Sequence, residues 1–293
     1  MSDTRDKWAK WLLERRHGGD EDRLKQTLEW LVPVRAKVLE NCALAGDETL
    51  LDIGCGDGLI GFGALDQLDA GKVIFSDITQ DLLDIVEKLA TDMNVTDRCE
   101  FVLADTTTLT PIADNSVDAV TLRSVLIYVT DKLSAFKSIH RVLKPDGVVS
   151  FFEPINRFGH SEQRHLLWGY DVSPIIAITD KVKAVFNAIQ PIDTDPMLNF
   201  DERDLITLME QAGFDEIHLE LRTEIVPINQ YGEGDWEQFI HVAGNPKIPT
   251  LSEAMEQVLT PSEIQQMTNY LRPKVEAGDG TLRNAIAYIW AVK

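Results

Sequence analysis

From Thr49 to Pro154 the chain alternates short apolar runs with amphipathic stretches. The runs "TLLDI" (49–53), "KVIFSDI" (72–78), "CEFVLAD" (99–105), "VDAVTLRSV" (117–125) and "VVSFFEP" (148–154) are apolar along most of their length, as strands buried on both faces are. Between them "LIGFGALDQL", "TQDLLDIVEKLATDM" and "DKLSAFKSIHRVL" repeat apolar positions at helical spacing, the second opened by a threonine cap at Thr79. Strands joined by helices predict a parallel sheet with helices on both faces.

The flanks read differently. Trp8, Trp11 and Leu12, then Leu24, Leu28 and Leu31, recur at helical spacing. They predict two short helices, about Thr4–Arg16 and Asp20–Leu31, parted by the turn "RHGGD", with a new helix opening at Pro33. After Pro154 the alternation stops. Residues 155–199 hold Pro174, Pro191 and Pro196 among short apolar segments and read as an insertion. "FDERDLITLMEQAGF" is an amphipathic helix ending at Gly213, and "DEIHLELRTEIVP" a sixth strand. Residues 228–283 form a second, largely helical insertion, and "RNAIAYIWAVK" runs apolar like a last strand. The expected organisation is a helical cap over 1–32, a core over 33–154, a lid insertion over 155–199, core again over 200–227, a helical insertion over 228–283 and a closing core strand over 284–293.

Composition narrows the function classes. Against 28 Lys and Arg stand 48 Asp and Glu, a net charge of −20. A field of that sign repels phosphates, so a nucleic acid substrate is disfavoured. Cys42, Cys55 and Cys99 have no close spacing, and the six histidines form no HxxxH or HExxH pattern. No disulfide framework and no protein metal site is expected. No apolar run is long enough to span a bilayer, and "MSDTRDKWAKWLLERRHGGD" has no apolar signal core, so a cytoplasmic protein without a membrane partner is expected.

The chemistry concentrates in "LLDIGCGDGLIGFG", which sets five glycines between Gly54 and Gly63 beside Asp52 and Asp57. A strand, a glycine turn and a helix make a cofactor crevice in open α/β sheets. Gly56-Asp57-Gly58-Leu59-Ile60-Gly61 matches G-x-G-x-x-G, and Asp77 follows 21 residues after Gly56, which suits an NAD-dependent oxidoreductase. The strand ends near Ile53, however, so the first turn glycine is Gly54 and the frame is shifted. Asp52 and Asp57 would also repel a pyrophosphate.

"LLDIGCGDG" resembles the first motif of the class I S-adenosylmethionine (SAM)-dependent methyltransferases, small-molecule type. "NSVDAVTLRSVLIYVTDKLSAFKSIHRVLKPDGVVSFFEP" (115–154) is similar to the same family's fourth-to-fifth-strand segment, with Asp146 in place of the first glycine of its closing turn. The resemblance implies a seven-stranded, mostly parallel Rossmann-like sheet whose antiparallel last strand slots between the fifth and sixth, with the helical insertions as a cap. It implies SAM as cofactor and S-adenosylhomocysteine (SAH) as product. By this resemblance Asp52 meets the amino end of the methionine moiety, directly or through water. Gly54, Cys55, Gly56 and Gly58 give the ligand room, Asp77 takes the ribose hydroxyls and Ile78 packs on the adenine. Asp105 with Thr106 faces the adenine amine, and Arg123 lies near the sulfonium end. A carboxylate suits a diol because it accepts two hydrogen bonds.

The acceptor site would lie over the strand ends, roofed by the insertions, which favours a small enclosed acceptor and methyl transfer to O, N or S before C. Glu153, His160, His165 and Tyr170 are the candidates for a catalytic role, and Arg15, Arg16 and the following glycines for closing over a carboxylate. Tyr231 and Trp236 are aromatic candidates for the acceptor site or for packing within the cap. A SAM-binding partner subunit without turnover is the alternative outside enzymes. A homodimer is open.

Overall fold

The computed structural model describes residues 21–160, 163–231 and 234–293. The Arg15–Asp20 turn and the first expected helix lie outside them. Helix α1 (Glu21–Cys42) opens the described chain. It runs without a break through Pro33, so the expected division between a helix ending at Leu31 and another starting at Pro33 is corrected. Pro33 sits on the exposed side, while Leu31, Val34, Val38 and Cys42 face the core. The buried stripe is continuous through the proline, and this burial offsets the hydrogen bond that proline removes.

The core follows the expected alternation: β1 (Thr49–Ile53), α2 (Leu59–Leu65), β2 (Lys72–Asp77), α3 (Gln80–Asp92), β3 (Cys99–Leu103), β4 (Val117–Arg123), α4 (Lys132–Val142) and β5 (Leu143–Pro154). After the first insertion come α7 (Glu202–Ala212), β8 (Glu216–Pro227) and, after the second, β9 (Thr281–Val292). The strand order is β3-β2-β1-β4-β5-β9-β8. β9 is antiparallel to both its neighbours, as the family resemblance implied. It begins at Thr281, three residues ahead of the expected boundary.

One sheet face packs on α4 and α7 through Leu51, Leu122, Phe136, Phe151 and Met209. The other packs on α1, α2 and α3 through Val38, Leu50, Phe75 and Val86. Local chemistry fixes the helix ends. The Asp131 carboxylate accepts from Ser134 N at 3.0 Å to start α4. Asp201 and Asp204 close a reciprocal box on α7, which stops at Gly213 with φ 101°. Thr79 does not cap α3 as expected. Its hydroxyl is buried without a hydrogen-bond partner among the described residues, and the Asp77 carboxylate accepts its backbone N–H instead, at 3.1 Å.

The two insertions form one cap rather than two roofs. The first holds α5 (Asn156–Gly159), the hairpin β6 (Leu166–Leu167) and β7 (Tyr170–Asp171), and α6 (Ile176–Ile189). The second holds α8 (Trp236–His241), α9 (Leu251–Val258) and α10 (Pro261–Glu276). Val182, Trp236, Leu251, Met267 and Leu271 bury one another in a core of their own. Thr250 with Glu253 and Thr260 with Glu263 box the starts of α9 and α10.

Candidate active site

A cavity of about 650 Å³ opens where β1, β2 and β4 end. Strand register explains which side chains reach it. Ile53, the last residue of β1, pairs with Ser76 and Leu122. Asp77 and Arg123 therefore stand one residue beyond that level, beside the turn at Gly54, and both line the cavity. Asp52 lies one level inside.

The turn needs its first glycine for two reasons. Gly54 has φ +61°, and a Cβ there would sit 2.5 Å from Val125 Cγ2. Val125 also lines the cavity, so the bare backbone keeps the first turn residue and the loop after β4 close together. Gly54→Ala should cost about 2 kcal/mol or more in unfolding free energy, from positive φ and overlap together. Chemical denaturation followed by circular dichroism measures it, and an unchanged midpoint would contradict the strain. The turn is tied across to β2, where Asp77 Oδ2 accepts from Gly56 N at 3.1 Å and Ser76 O accepts from Cys55 N at 3.0 Å.

Of the expected cofactor residues, Gly54, Gly56, Asp77, Ile78, Asp105, Thr106 and Arg123 line this one cavity. Ile78 is a large apolar side chain left 62 % exposed there, an open flat surface beside a carboxylate. The Asp105 carboxylate is held by Thr107, whose N and Oγ1 donate to Oδ1 at 2.7 and 2.6 Å. Arg123 has no hydrogen bond or ion pair among the described residues.

Three assignments are corrected. Asp52 is 2 % exposed and does not line the cavity. Its two oxygens are taken inside the protein, by Gly61 N at 3.0 Å and Thr121 Oγ1 at 2.9 Å. It orders the helix behind the turn, and burial pushes its carboxyl up to about 7. Cys55 is buried among apolar side chains, and burial raises its thiol well above the usual value, so it is neither a contact nor a nucleophile. Gly58 is set back as well. With φ +80° it forms the left-handed entrance to α2, while Asp57 Oδ1 accepts from Leu59 N at 3.3 Å.

None of the four catalytic candidates lines the cavity. Glu153 is fully buried and its carboxylate accepts from the backbone of the loop after β4. Tyr170 is buried in the cap with its ring against Phe239. His165 is exposed on the cap hairpin, where its carbonyl accepts from Val172 N at 2.7 Å. His160 follows α5, its backbone N bonded to Asn156 O at 2.9 Å. Trp236 is a core residue of the cap, the packing alternative for that aromatic.

The far half of the cavity comes from residues the sequence did not single out. Ile127, Tyr128 and Val129 come from the loop after β4, Asn156 and Met197 from the first insertion, and Val242, Ala243 and Gly244 from the second. Only the first group had a sequence signal, its place after a strand end. The cap residues are brought in by packing that no local pattern records.

The arrangement fits SAM. A glycine cradle that a Cβ would fill, a carboxylate at the strand end, an open apolar side chain beside it and a second carboxylate beyond are the groups that a methionine chain, a ribose diol, an adenine face and an adenine amine require. Residues 51–151 match the family described as a methyltransferase domain. The ubiquinone/menaquinone biosynthesis C-methyltransferase UbiE of Escherichia coli O1:K1 is 30% identical over 177 residues, 58% of this chain and 67% of that one. The chain belongs to the class I SAM-dependent methyltransferases. The UbiE protein of Haemophilus ducreyi is 29% identical over 155 residues, and there the match spans 51% of this chain and 57% of the relative. In fold, this methyltransferase is similar to phosphoethanolamine N-methyltransferase 2 of Haemonchus contortus, solved with SAM, at a TM-score of 0.51 and 15% identity over 98% of this chain and 56% of that one. SAM is the family's cofactor. Among the described residues no helix is long and apolar enough to cross a membrane, and no group of His, Cys, Asp and Glu can hold a metal ion.

Proposed function

We propose that this methyltransferase transfers the methyl group of SAM to a small molecule enclosed between the strand ends and the cap. The observation that carries the reading is a cavity of about 650 Å³ lined both by Asp77 and Asp105 and by residues of the two cap insertions. That volume lies within the range of about 300–1,000 Å³ usual for small-ligand clefts. In this reading Asp77 holds the ribose hydroxyls, Ile78 covers the adenine, Asp105 with Thr106 accepts from its amine, and Gly54 and Gly56 give the methionine chain room. Arg123 is left for a carboxylate, of the cofactor or of the acceptor. When bound, SAM supplies a methyl group activated on a sulfonium.

The chain's own part is alignment and exclusion of water. Ile127, Val129, Met197 and Val242 make the far end apolar. No histidine, glutamate or cysteine among the described residues lines the cavity, whose ionisable groups are Asp77, Asp105, Arg123, Tyr128 and Asp131. This supports an acceptor that arrives already nucleophilic, such as a thioether, a neutral amine or an ionised enol or phenol. The last class includes carbon acceptors, in keeping with the C-methyltransferase relatives. The net charge of −20 and the enclosure argue against nucleic acid.

The test is to incubate the protein with methyl-labelled SAM and a cell extract split into small-molecule, protein and RNA fractions, and to follow the label by mass spectrometry. Label in one metabolite is expected. Label in RNA or protein would overturn the enclosed-acceptor reading. No label, with SAH binding demonstrated by calorimetry, would replace it with a SAM-binding partner subunit.

A further inference from the structure

Every residue from Ser124 to Asp131 except Leu126 lines the cavity, so the shape of this loop decides what the acceptor end can hold. The loop is not self-supporting. Ser124 enters it with φ 55°, and its N–H donates to Phe152 O at 2.9 Å. A single turn of 3₁₀ helix, Leu126–Tyr128, follows, and such a turn leaves its first N–H groups without partners.

Two buried ionisable side chains meet those needs from opposite ends. Glu153 Oε1 accepts from Val125 N and Leu126 N, both at 2.8 Å, and Oε2 from Ile127 N at 3.4 Å. At the other end Lys132 Nζ donates to Val129 O at 2.9 Å and to Pro196 O at 3.0 Å. Pro196 belongs to the cap and precedes Met197, which lines the cavity. One lysine thus fixes the end of the loop and a cap residue of the acceptor end together. Its ammonium also lies 4.4 Å from the centre of the Phe200 ring.

We infer that Glu153 and Lys132 are positioning residues that hold the Val125–Asp131 loop and Met197 in the shape that receives the methyl acceptor. The inference rests on the reading of that end of the cavity as the acceptor end. Neither side chain lines the cavity, so both act through the backbone they hold. A buried charge is costly, and neutral groups can supply some of the same bonds. What the carboxylate adds is acceptor-only chemistry toward three N–H groups at once.

The charge makes the clamp sensitive to pH. Burial pushes Glu153 up to about 7, against the three backbone N–H groups and Lys132. Lys132 is the charged group that acts on it most strongly; Arg123 at the end of β4 and Asp131 on the loop are further charged groups on the elements packed against it. Burial pulls Lys132 down to about 8, opposed by Glu153, Asp195 and Asp204 and assisted by Lys247. A protonated Glu153 carries a donor toward a row of donors, so the loop should loosen as pH falls through about 7.

Amide hydrogen exchange of the full chain tests this without knowing the acceptor. After correction for intrinsic exchange, protection of Val125 and Leu126 should fall about tenfold between about pH 8.5 and about pH 5.5. In Glu153→Gln it should be low and independent of pH, while the SAH dissociation constant stays within about threefold of the parent. Lys132→Met should lower protection at Val129 and Met197 and leave Val125 unchanged. Parent-like protection in Glu153→Gln, or a parent whose loop ignores pH, would overturn the inference. If Glu153→Gln fails to fold, parent-like protection in Lys132→Met overturns it. Loss of SAH affinity by more than about tenfold in Glu153→Gln would assign the loop to the cofactor and overturn the acceptor role. If the loop responds as expected but no metabolite takes up label, the acceptor reading fails while the clamp stands.

Discussion

Asp77→Ala should weaken binding of both SAM and SAH by about 100-fold, close to 3 kcal/mol, measured by calorimetry on a protein whose circular dichroism is unchanged. The size follows from two roles in one carboxylate. Asp77 is 6 % exposed and lines the cavity at the end of β2. Toward the protein, Oδ2 accepts from Gly56 N and Oδ1 from Thr79 N. The same carboxylate thus ties down the turn and faces the cavity. Alanine would remove the proposed ribose contacts and release the turn residue Gly56 together. Asp77→Asn separates the two. The amide keeps one acceptor oxygen and turns the other into a donor, so one hydroxyl loses its acceptor, and a loss of about tenfold is expected. Equal losses for SAM and SAH are part of the prediction, because the two ligands share the ribose and differ at sulfur. Parent-like affinity in a folded Asp77→Ala protein would remove Asp77 from the cofactor site.

The contrast between Asp77 and Asp52 shows what could be read from the sequence. Asp52 is the last residue but one of β1, beside the glycine turn, and Asp77 is the last of β2, and the family resemblance assigns both to the cofactor. Register separates them. Asp52 pairs with Phe75 and Thr121, one level inside the sheet, while Asp77 passes the end of β1. Two residues of level move a carboxylate from a ligand surface to the back of a turn. The alternation of buried strands and amphipathic helices needed only local pattern, and it predicted the sheet and the crevice. Thr79 and Pro33 mark where local rules yielded to tertiary ones. The threonine at the start of α3 makes no side-chain cap, and its own N–H is held by Asp77 from the preceding strand, while a proline did not break α1 because the buried stripe continued past it. Glu153 looked like a mouth residue because it ends a strand. Its side chain turns under the next loop, a choice made by three unsatisfied N–H groups that no sequence pattern displays. Met197 and Val242–Gly244 lie far from every motif and reach the cavity only because the two insertions pack on each other.

Those two buried carboxylates also set how stability changes with pH. Asp52 and Glu153 are each raised to about 7 by burial. Between about pH 4 and about pH 7 the folded chain therefore holds protons that the unfolded chain has released, and stability falls as pH rises through that window. Each group corresponds to about 2–4 kcal/mol. The surplus of acids acts in the same direction, since ionising more of them adds repulsion. His140, lowered mainly by burial, acts in the opposite direction. Glu263, drawn down to about 2 by Lys181 and Thr260, and Asp131 and Asp180, lowered by their own partners, lose their contribution only at more acid pH. Lys132, at about 8, returns stability only above that value. Urea unfolding should thus give a maximum near about pH 5 and a decline of a few kcal/mol by about pH 8. Asp52→Asn isolates one group. Its amide oxygen can accept from Gly61 N and its amide nitrogen can donate to Thr121 Oγ1, so both native bonds survive without the charge. The variant should be more stable than the parent at about pH 8, with a shallower decline, and should keep its SAH affinity within about threefold. Loss of SAH binding in this variant would return Asp52 to the ligand surface. A decline as steep as the parent's would mean that Asp52 stays ionised through the whole window.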